Sequence, residues 1–223
     1  MSPEDPTPLP LFPLGNVVLF PHSRVPLHIF EPRYVQMTEA ALETERCIGM
    51  VTVRPESIAE IAGDPPVFPV GCSGVIEQIA KRPNGRYDLL LHGTHRFRLL
   101  EEIPSDGERI YRLGKVERLV DPFDPESEQA ELQTHRLEIV ELLETLVRRA
   151  DPRMRARFDP RRLSGVEDGA FVNVMCQTFD GGAAEKQGLL DADRLLERCR
   201  RLVAVLRFRV AESDGAAGSG SLQ

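Results

Sequence analysis

The sequence lacks the motifs that would equip it to hydrolyse ATP or to cut peptides with an activated serine. No G-x-x-x-x-G-K-[ST] run occurs in its 223 residues, so no glycine-rich loop can wrap nucleotide phosphates with a lysine behind them. No G-x-S-x-G run occurs either, and the nearest fragments are 71–74 and 218–220. These absences argue against an enzyme, and an ATP-independent hydrolase is the least favoured function class.

Motifs for metal or thiol chemistry are missing as well. No C-x-x-C spacing occurs, and His92 and His95 form an H-x-x-H run that turns the two side chains to opposite faces of an extended strand. We therefore expect no metal, no cofactor and no catalytic residue. The cysteines lie far apart, mostly within apolar runs, and are expected to be reduced core residues: Cys47, Cys72, Cys176 and Cys199.

Long apolar runs and an excess of positive charge are also absent. No run approaches the ~18 apolar residues of a membrane span, and the N-terminus lacks the basic and apolar regions of a secretion signal. The net charge of −7 and the pI near 5.4 leave no positive field for an anionic membrane or a nucleic acid. We therefore expect a cytoplasmic protein with no membrane partner, and nucleic acid is a disfavoured partner.

The strongest structural signals lie in the run Leu9–Met37. Within it, Val17–Phe20 is a short apolar segment that follows the turn-forming pair Gly15 and Asn16 and ends at Pro21. Apolar segments bounded by turn residues in this way are typical of strands. The pattern predicts a buried strand that is reached through a turn.

A helix is predicted to start at the pair Glu31 and Pro32. Proline suits the first helical turn because its missing N–H would have no partner there in any residue. Tyr34, Met37 and Ala41 then recur at the spacing that places side chains on one helical face. Glu31 and Arg33, at the start of the helix, are expected to attach it to the sheet.

The periodicity of the chain changes near Val120. Short apolar segments separated by turn signals precede this point, which predicts a strongly curved antiparallel sheet or barrel. The segments are Cys47–Val53, Val67–Ile79, Tyr87–Leu91, Arg96–Ile103 and Ile110–Leu119.

After residues 121–125 the apolar spacing becomes that of helices, over 126–149 and 191–209, with a further face from Phe171 to Phe179. Asp124 is placed to cap the first of these helices and Pro125 to occupy its first position. The Gly-, Ala- and Ser-rich tail is expected to be disordered. The predicted divisions are a β-rich lobe over 7–120, a helical lobe over 121–212 and a tail over 213–223.

The run Leu9–Met37 resembles the opening of the Lon protease N-terminal domain family. PLFPLGNVVLFP and PLHIFEPRY stand almost as the family pattern has them, with His22 where a glycine is common. The second block of the family is matched by residues 65–102, including Gly93 and Arg96, and the run around Lys186 and Gln187 is similar to a later helical step. The match is dense at the start and loose at the end.

The resemblance implies an α+β fold in which a PUA-like curved β pseudobarrel with one or more helices is followed by a C-terminal α-helical bundle. It also implies a non-catalytic, stand-alone recognition module without the ATPase and protease domains. Such a module would bind exposed apolar segments of unfolded or damaged polypeptides and would act as an adaptor in protein quality control, with a protease or a chaperone as partner. The bound peptide would lie in a groove or add to a sheet edge.

The resemblance also gives the candidate residues. We expect Phe30, Tyr34 and Arg96 to contact a bound polypeptide, and the alternative role for Arg96 is a buried or half-buried structural anchor. The remaining motif residues are expected to be structural: Pro13, Gly15, Asn16, Pro21, Glu31, Pro32, Arg33 and Gly93.

An alternative function is suggested by the basic linker Arg148–Arg162. It holds seven arginines against two aspartates in an acidic protein and could bind RNA phosphates. Phe158 is its one aromatic residue for base stacking, and the glutamates of the preceding helix could pair with its arginines. The linker is therefore favoured as a solvated connection between helices.

Overall fold

The computed structural model describes residues 7–105, 107–150 and 165–219. Within these ranges the first part contains β1 Thr7–Leu14, β2 Arg24–Ile29, α1 Pro32–Leu42, β3 Cys47–Thr52, β4 Val70–Lys81, β5 Tyr87–Ile103 and β6 Arg112–Arg118. The helices that follow are α2 Pro125–Ala150, α3 Asp168–Thr178, α4 Ala183–Leu190 and α5 Leu195–Ser219. Short 3-10 helices occupy Pro55–Glu60 and Pro83–Gly85. The predicted α+β class is confirmed.

Strand β5 has partners on both of its edges. On one edge it pairs with β4, and on the other it pairs first with β2 and then with β6. Strand β6 pairs with β1, β1 runs parallel to β3, and β3 pairs with β4. The strands β5, β4, β3, β1 and β6 therefore form a closed ring, and β2 is attached to it through β5. This is the curved pseudobarrel that the resemblance implied.

The structure joins two segments that the sequence pattern separated. Tyr87–Leu91 and Arg96–Ile103 were predicted as two strands, but they are halves of the 17-residue strand β5. Its ladder with β4 contains two register shifts, one of them between Ser73 and Gly74. Such irregularities increase the local twist and bend a strand without ending it. The polar residues between the halves therefore mark a bend and not a loop.

The segment Val17–Phe20 is not the strand that the sequence predicted. Its last three residues are buried, but two of its backbone groups form hydrogen bonds with the side chain of Gln177 and not with a neighbouring strand. The backbone N–H of Phe20 donates to Gln177 Oε1 at 3.0 Å, and Gln177 Nε2 donates to the carbonyl oxygen of Val18 at 3.0 Å. A side-chain amide thus satisfies buried backbone groups that would otherwise need a strand partner.

This buried segment lies directly against β5 at Gly93. A Cβ atom on Gly93 would stand 2.2 Å from the carbonyl oxygen of Phe20, which no real side chain tolerates. Two backbone hydrogen bonds of 2.8 Å fix the contact, from His22 N–H to the carbonyl of Gly93 and from Gly93 N–H to the carbonyl of Ser23. At the same turn His22 has a left-handed backbone, with φ of 64°.

Helix α1 covers one part of the ring interior. It begins with Pro32 in its first turn, as predicted, and buries Tyr34, Met37 and Ala41 on one face. These side chains pack into the larger apolar cluster of the sheet, which includes Ile48 and Leu91. A second cluster fills the space between β1, β3, β5 and β6: Leu9, Leu11, Val51, Phe97 and Val116.

The described residues form two compact units. The first contains the residues up to Val120 together with Asn173–Asp191, and the second contains those between Asp121 and Val172 and those from Ala192 onward. The sequence division placed 173–191 in the helical lobe, whereas the structure groups this segment, with α4, with the β strands. The physical reason is visible at Gln187, which is buried and hydrogen-bonded to the sheet.

Gln187 connects α4 to two strands of the first unit. Its Oε1 accepts from the Thr52 hydroxyl at 2.6 Å, and its Nε2 donates to the carbonyl oxygen of Val70 at 2.9 Å. The same nitrogen lies 2.7 Å from Asp191 Oδ1. Every polar atom of this buried amide thus has a partner, as buried amides require.

In the second unit, α2 and α5 are joined by ion pairs along their length. Arg200 donates to both oxygens of Glu131 at 2.7 and 2.8 Å, and this pairing lowers the pKa of Glu131 to about 2.

The second unit also contains the predicted cap of α2. Asp124 accepts a hydrogen bond from the Glu126 N–H at 3.1 Å, so that prediction is confirmed. Arg198 is fully buried and donates to both oxygens of Asp121 at 2.8 and 2.9 Å.

Helix α5 continues farther than the sequence predicted. Residues 213–219, expected in a disordered tail, form its last turns, whereas 220–223 lie outside the described residues. Once a helix is nucleated, each added residue gains a hydrogen bond, so a weakly helical sequence can extend a packed helix. None of the described helices combines the length and the apolar composition that crossing a membrane requires.

Replacing His22 with glycine should stabilise the first unit by about 0.5–1 kcal/mol. A left-handed backbone costs a non-glycine residue about 1–2 kcal/mol, and glycine removes this strain. Part of the gain is lost because glycine gives up more conformational entropy on folding. The measurement is urea unfolding followed by tyrosine fluorescence, since all three tyrosines lie before Val120. The control His92→Gly changes a residue in the extended strand β5 and should destabilise. A loss of stability in both variants would contradict this account.

Replacing Gln187 with leucine should destabilise the first unit by about 2–4 kcal/mol, because the Thr52 hydroxyl and the Val70 carbonyl would be buried without partners. The same urea experiment measures the change. Gln78→Leu, at an exposed position of β4, is the matched control and should change stability by less than about 0.5 kcal/mol. Equal effects of the two substitutions would show that α4 contributes nothing to the folding of the first unit.

Candidate functional site

The three residues predicted to contact a polypeptide do not share one surface. Phe30, which follows β2, has 57 % of its surface exposed, whereas Tyr34 and Arg96 have 5 % and 2 %. A bound chain could reach Phe30 but not the other two. The structure therefore corrects the prediction of contact for Tyr34 and Arg96, agrees with the alternative of a buried anchor for Arg96, and leaves Phe30 as a surface residue.

Tyr34 is part of the core beneath α1. Its ring meets Phe12 edge-on with 4.5 Å between centroids, and its hydroxyl donates to the carbonyl oxygen of Pro13 at 3.5 Å. The guanidinium of Arg33 covers its other side at 4.5 Å from the ring centroid. Burial raises the pKa of Tyr34, so its hydroxyl stays protonated.

Arg96 is an internal anchor. Its Nη1 donates to the carbonyl oxygen of Leu190, the last residue of α4, at 2.9 Å. A guanidinium can satisfy such a carbonyl inside the protein because its charge also strengthens the hydrogen bond. Arg96 therefore helps to hold α4 against β5, and the family motif that contains it is structural at this position.

The residues at the start of α1 hold a neighbouring loop. Arg33 donates to the carbonyl oxygens of Ile61, Ala62 and Gly63 at 2.8 to 3.3 Å, and Glu31 orients it through a hydrogen bond of 3.1 Å. Four separate donations from one guanidinium explain why a planar, multidentate side chain stands there. The expectation that Glu31 and Arg33 are structural stays consistent with this geometry.

An apolar groove lies beside Phe30 on the outward face of three strands. We call it the outer groove; its volume is about 540 Å³ and it is open to solvent. Its walls come from the second half of β2, the end of β4 and the start of β5: Pro26, Leu27, His28, Gln78, Ile79, Ala80, Asp88, Leu89 and Leu90.

The register of the strands arranges the outward side chains in rows. Pro26 and Gln78 both pair with Leu90 and form a largely apolar row across the middle of the groove. His28 and Ala80 both pair with Asp88 and form the next row. Neighbouring rows are two residues apart along a strand, or roughly 7 Å. The apolar floor is therefore short and fits one or two large side chains along the strands.

Paired charges border the apolar row on both sides. On one side Arg24 donates to both oxygens of Glu77, at 2.6 and 2.9 Å. On the other side Asp88 lies 2.5 Å from His28 Nδ1 and 2.5 Å from Arg82 Nε. The hydrogen bonds from His28 and Arg82 lower the pKa of Asp88, so this carboxylate stays ionised at neutral pH.

The cysteines lie mostly in the protein interior. Cys72, Cys176 and Cys199 are buried, Cys47 is half-buried, and all four are free thiols. Burial raises the pKa of the Cys199 thiol to about 12, which keeps it protonated. Within the described part of the chain, no group of three or more His, Cys, Asp or Glu side chains is placed to hold a metal ion.

Most of the basic linker Arg148–Arg162 lies outside the described residues. Its first two arginines end α2 and make contacts within the second unit. Arg148 donates to the Thr145 hydroxyl at 3.1 Å, and Arg149 donates to the carbonyl oxygen of Val210 at 3.0 Å. RNA binding by this linker stays a prediction from the sequence.

The outer groove, the half-buried Gln177 and the buried Gln187 have no counterpart in the predictions from the sequence. The alternation of polar and apolar residues in β2 is a signal that could have identified its outward side chains, but only the strand register shows that they lie beside Ala80 and Leu90. Gln177 and Gln187 carry no local signal, because an amide in a helix is usually solvated.

Comparison with known proteins gives a consistent result. A family model described as the ATP-dependent protease La (Lon) substrate-binding domain matches residues 8–207. The Lon protease of Parabacteroides distasonis is 29 % identical over 203 residues, which are 89 % of this chain and 23 % of that protein. The Lon protease of Escherichia coli K12 is 26 % identical over 203 residues, which are 91 % and 25 %. The chain thus spans about a quarter of the length of these relatives.

Two solved structures share the fold. The N-terminal domain of the Mycobacterium avium complex Lon protease superposes with a TM-score of 0.68 and 15 % identity, over 90 % of this chain and 98 % of that one. A Lon N-terminal domain protein from Xanthomonas campestris superposes with a TM-score of 0.62 and 23 % identity, over 89 % and 98 %. At these identities the likeness establishes the fold alone.

Substitutions at Phe30 and Tyr34 should differ in their effect on stability, because one ring is on the surface and the other is in the core. Tyr34→Ser should destabilise the first unit by about 3–5 kcal/mol through the cavity that it leaves, whereas Phe30→Ser should change stability by less than about 0.5 kcal/mol. Urea unfolding followed by circular dichroism measures both. A large loss in Phe30→Ser would show that this ring is part of the core.

Proposed function

Since the chain belongs to the family of Lon substrate-binding domains, we propose that it is a recognition module for exposed apolar segments of unfolded or damaged polypeptides. The family match bears out the resemblance in the sequence and supports substrate recognition as the function. The matched family is that of the substrate-binding domain, so the module binds without chemistry of its own in this proposal. The segment binds in the outer groove, with Phe30 at one end.

The observation that carries this proposal is an apolar floor exposed to solvent and flanked by an exposed aromatic ring. The ring of Phe30 lies 5.9 Å from that of His28, which lines the groove. Covering a large apolar side chain contributes about 1.5–3 kcal/mol. One or two such contacts, opposed by the cost of ordering the segment, give weak binding. Weak, rapidly reversible binding suits a module that handles many different chains.

The outward face of the sheet is favoured as the docking surface, in preference to the edge of the sheet. In the described sheet β2 pairs only with β5, which leaves its other edge open. The carbonyl oxygen of Ser23 accepts a hydrogen bond from the Gly93 N–H, so the backbone groups of Ser23 face β5. Because these directions alternate along a strand, the backbone groups of Arg24, Pro26 and His28 face the open edge. Pro26 has no N–H, and it therefore interrupts the ladder that an added strand would need. A bound segment is better accommodated across the side chains.

The partners follow from the same proposal. Relatives that carry this domain are Lon proteases, and the domain is about a quarter of each. We place the module in the cytoplasm, where it binds damaged chains and presents them to a protease or a chaperone as an adaptor. No cofactor enters this function.

Binding of a fluorescent peptide with a four-residue apolar core tests the proposal. Phe30→Ser should weaken binding by about 10-fold, the loss expected from one uncovered aromatic contact. Ile110→Ser removes an apolar side chain of similar exposure, 55 % against 57 %, that does not line the groove, and it should bind as the unchanged protein does. Anisotropy titrations measure both. Equal weakening by the two substitutions, or no binding by any variant, would contradict the proposal.

A further inference from the structure

Two arginines stand at the Phe30 end of the outer groove. The pairs His28–Asp88 and Ile29–Tyr87 end the ladder of β2 on β5, so Phe30 and Arg86 are the next residues of the two segments beyond its last pair. Across the turn between β4 and β5, the backbone N–H of Arg82 donates to the carbonyl of Arg86 at 2.7 Å. Phe30, Arg86 and Arg82 thus each lie two residues beyond the row of His28, Asp88 and Ala80 along their own segments.

Among the described residues, positive charge exceeds negative charge at this end of the groove. Arg82 is exposed and directs Nε and Nη2 at Oδ2 of Asp88, whereas His28 Nδ1 contacts the other oxygen, Oδ1. Arg86 is exposed, and within the described ranges no carboxylate forms an ion pair with it. The other end of the groove differs, because Arg24 and Glu77 neutralise each other. One end of the groove is therefore basic and the other is neutral, in a chain with a net charge of −7.

We propose that the outer groove selects apolar segments that carry carboxylates on one flank, with Arg86 and Arg82 binding the carboxylates beside Phe30. This inference rests on the proposed function and adds a rule of specificity to it. The short apolar floor holds one or two large side chains, and the next residues of the segment then lie over the arginines. An aspartate or glutamate there pairs with Arg86, whereas a lysine is repelled.

Arg82 and Arg86 differ in how they contribute. Arg82 is already oriented by Asp88, so its guanidinium is held at the rim at little further entropic cost when a second carboxylate arrives. Arg86 has no such partner and supplies the unbalanced charge. Asp88 itself repels a carboxylate placed directly over it, so the acidic residues of the segment must lie at the turn and not above the middle of the groove.

The test uses the full chain and labelled twelve-residue peptides with one common apolar core. The core is flanked on one side by three aspartates, three lysines or three serines, with each flank placed at either end of the peptide. A further peptide joins three aspartates to a core of serines. At about 10 mM salt, where the Debye length is roughly 30 Å, we expect the aspartate-flanked peptide to bind about two- to tenfold more tightly than the serine-flanked peptide. This is the range expected from exposed ion pairs. At about 1 M salt the two should converge, and the apolar contribution cancels in their ratio.

Arg86→Ser should remove most of this preference, and Arg86→Glu should reverse it in favour of the lysine flank, while the serine-flanked peptide binds all variants alike. Arg118→Ser removes an exposed arginine of β6 that is outside the groove and controls for the change in net charge. A preference that survives Arg86→Glu, or that falls equally in Arg118→Ser, would overturn the inference.

The remaining outcomes separate the inference from the function beneath it. Equal binding of all three flanked peptides would overturn the charge rule and leave apolar recognition standing. Failure of every apolar peptide to bind would overturn both. An oligouridine that binds more tightly than the aspartate peptide and is lost in Arg86→Ser would assign this end of the groove to nucleic acid and also overturn the inference.

Discussion

The first unit depends on the backbone ladders along both edges of β5. This strand closes the ring, holds β2 and gives the outer groove one of its walls. Its pairing changes from β2 to β6 near Gly93, where the close approach of the Phe20 carbonyl requires a residue without a side chain. A single backbone contact therefore coordinates the closure of the ring with the placement of β2. The groove exists because that contact holds β2 beside β5 in one register.

The elements that could be predicted are those whose cause is local. The start of α1 follows from Pro32, and the start of α2 follows from Asp124 and Pro125, because caps and first-turn prolines act within a few residues. Val17–Phe20 was misread because its partner is Gln177, some 157 residues away. Apolar runs reveal burial, but they do not reveal which group satisfies the buried backbone.

The candidate site shows the same limit. Phe30 was identified from the motif and is exposed, whereas Arg96 stands in an equally clear motif and is buried against a carbonyl 94 residues away. A motif marks positions that the fold needs, and it does not say whether the need is packing or contact with a partner. The outer groove itself arises from register, which brings together residues of three strands that no linear pattern connects.

The position of α4 in the chain has a consequence for synthesis on the ribosome. The ring strands are complete once Arg118 has emerged, yet Gln177 and Gln187 supply hydrogen bonds that buried groups of the first unit require. All of α2 is translated between these two events. The nascent barrel must therefore wait for more than fifty further residues, at roughly 5–20 residues per second, before its last buried polar groups find partners. During those seconds it is itself an incompletely folded chain.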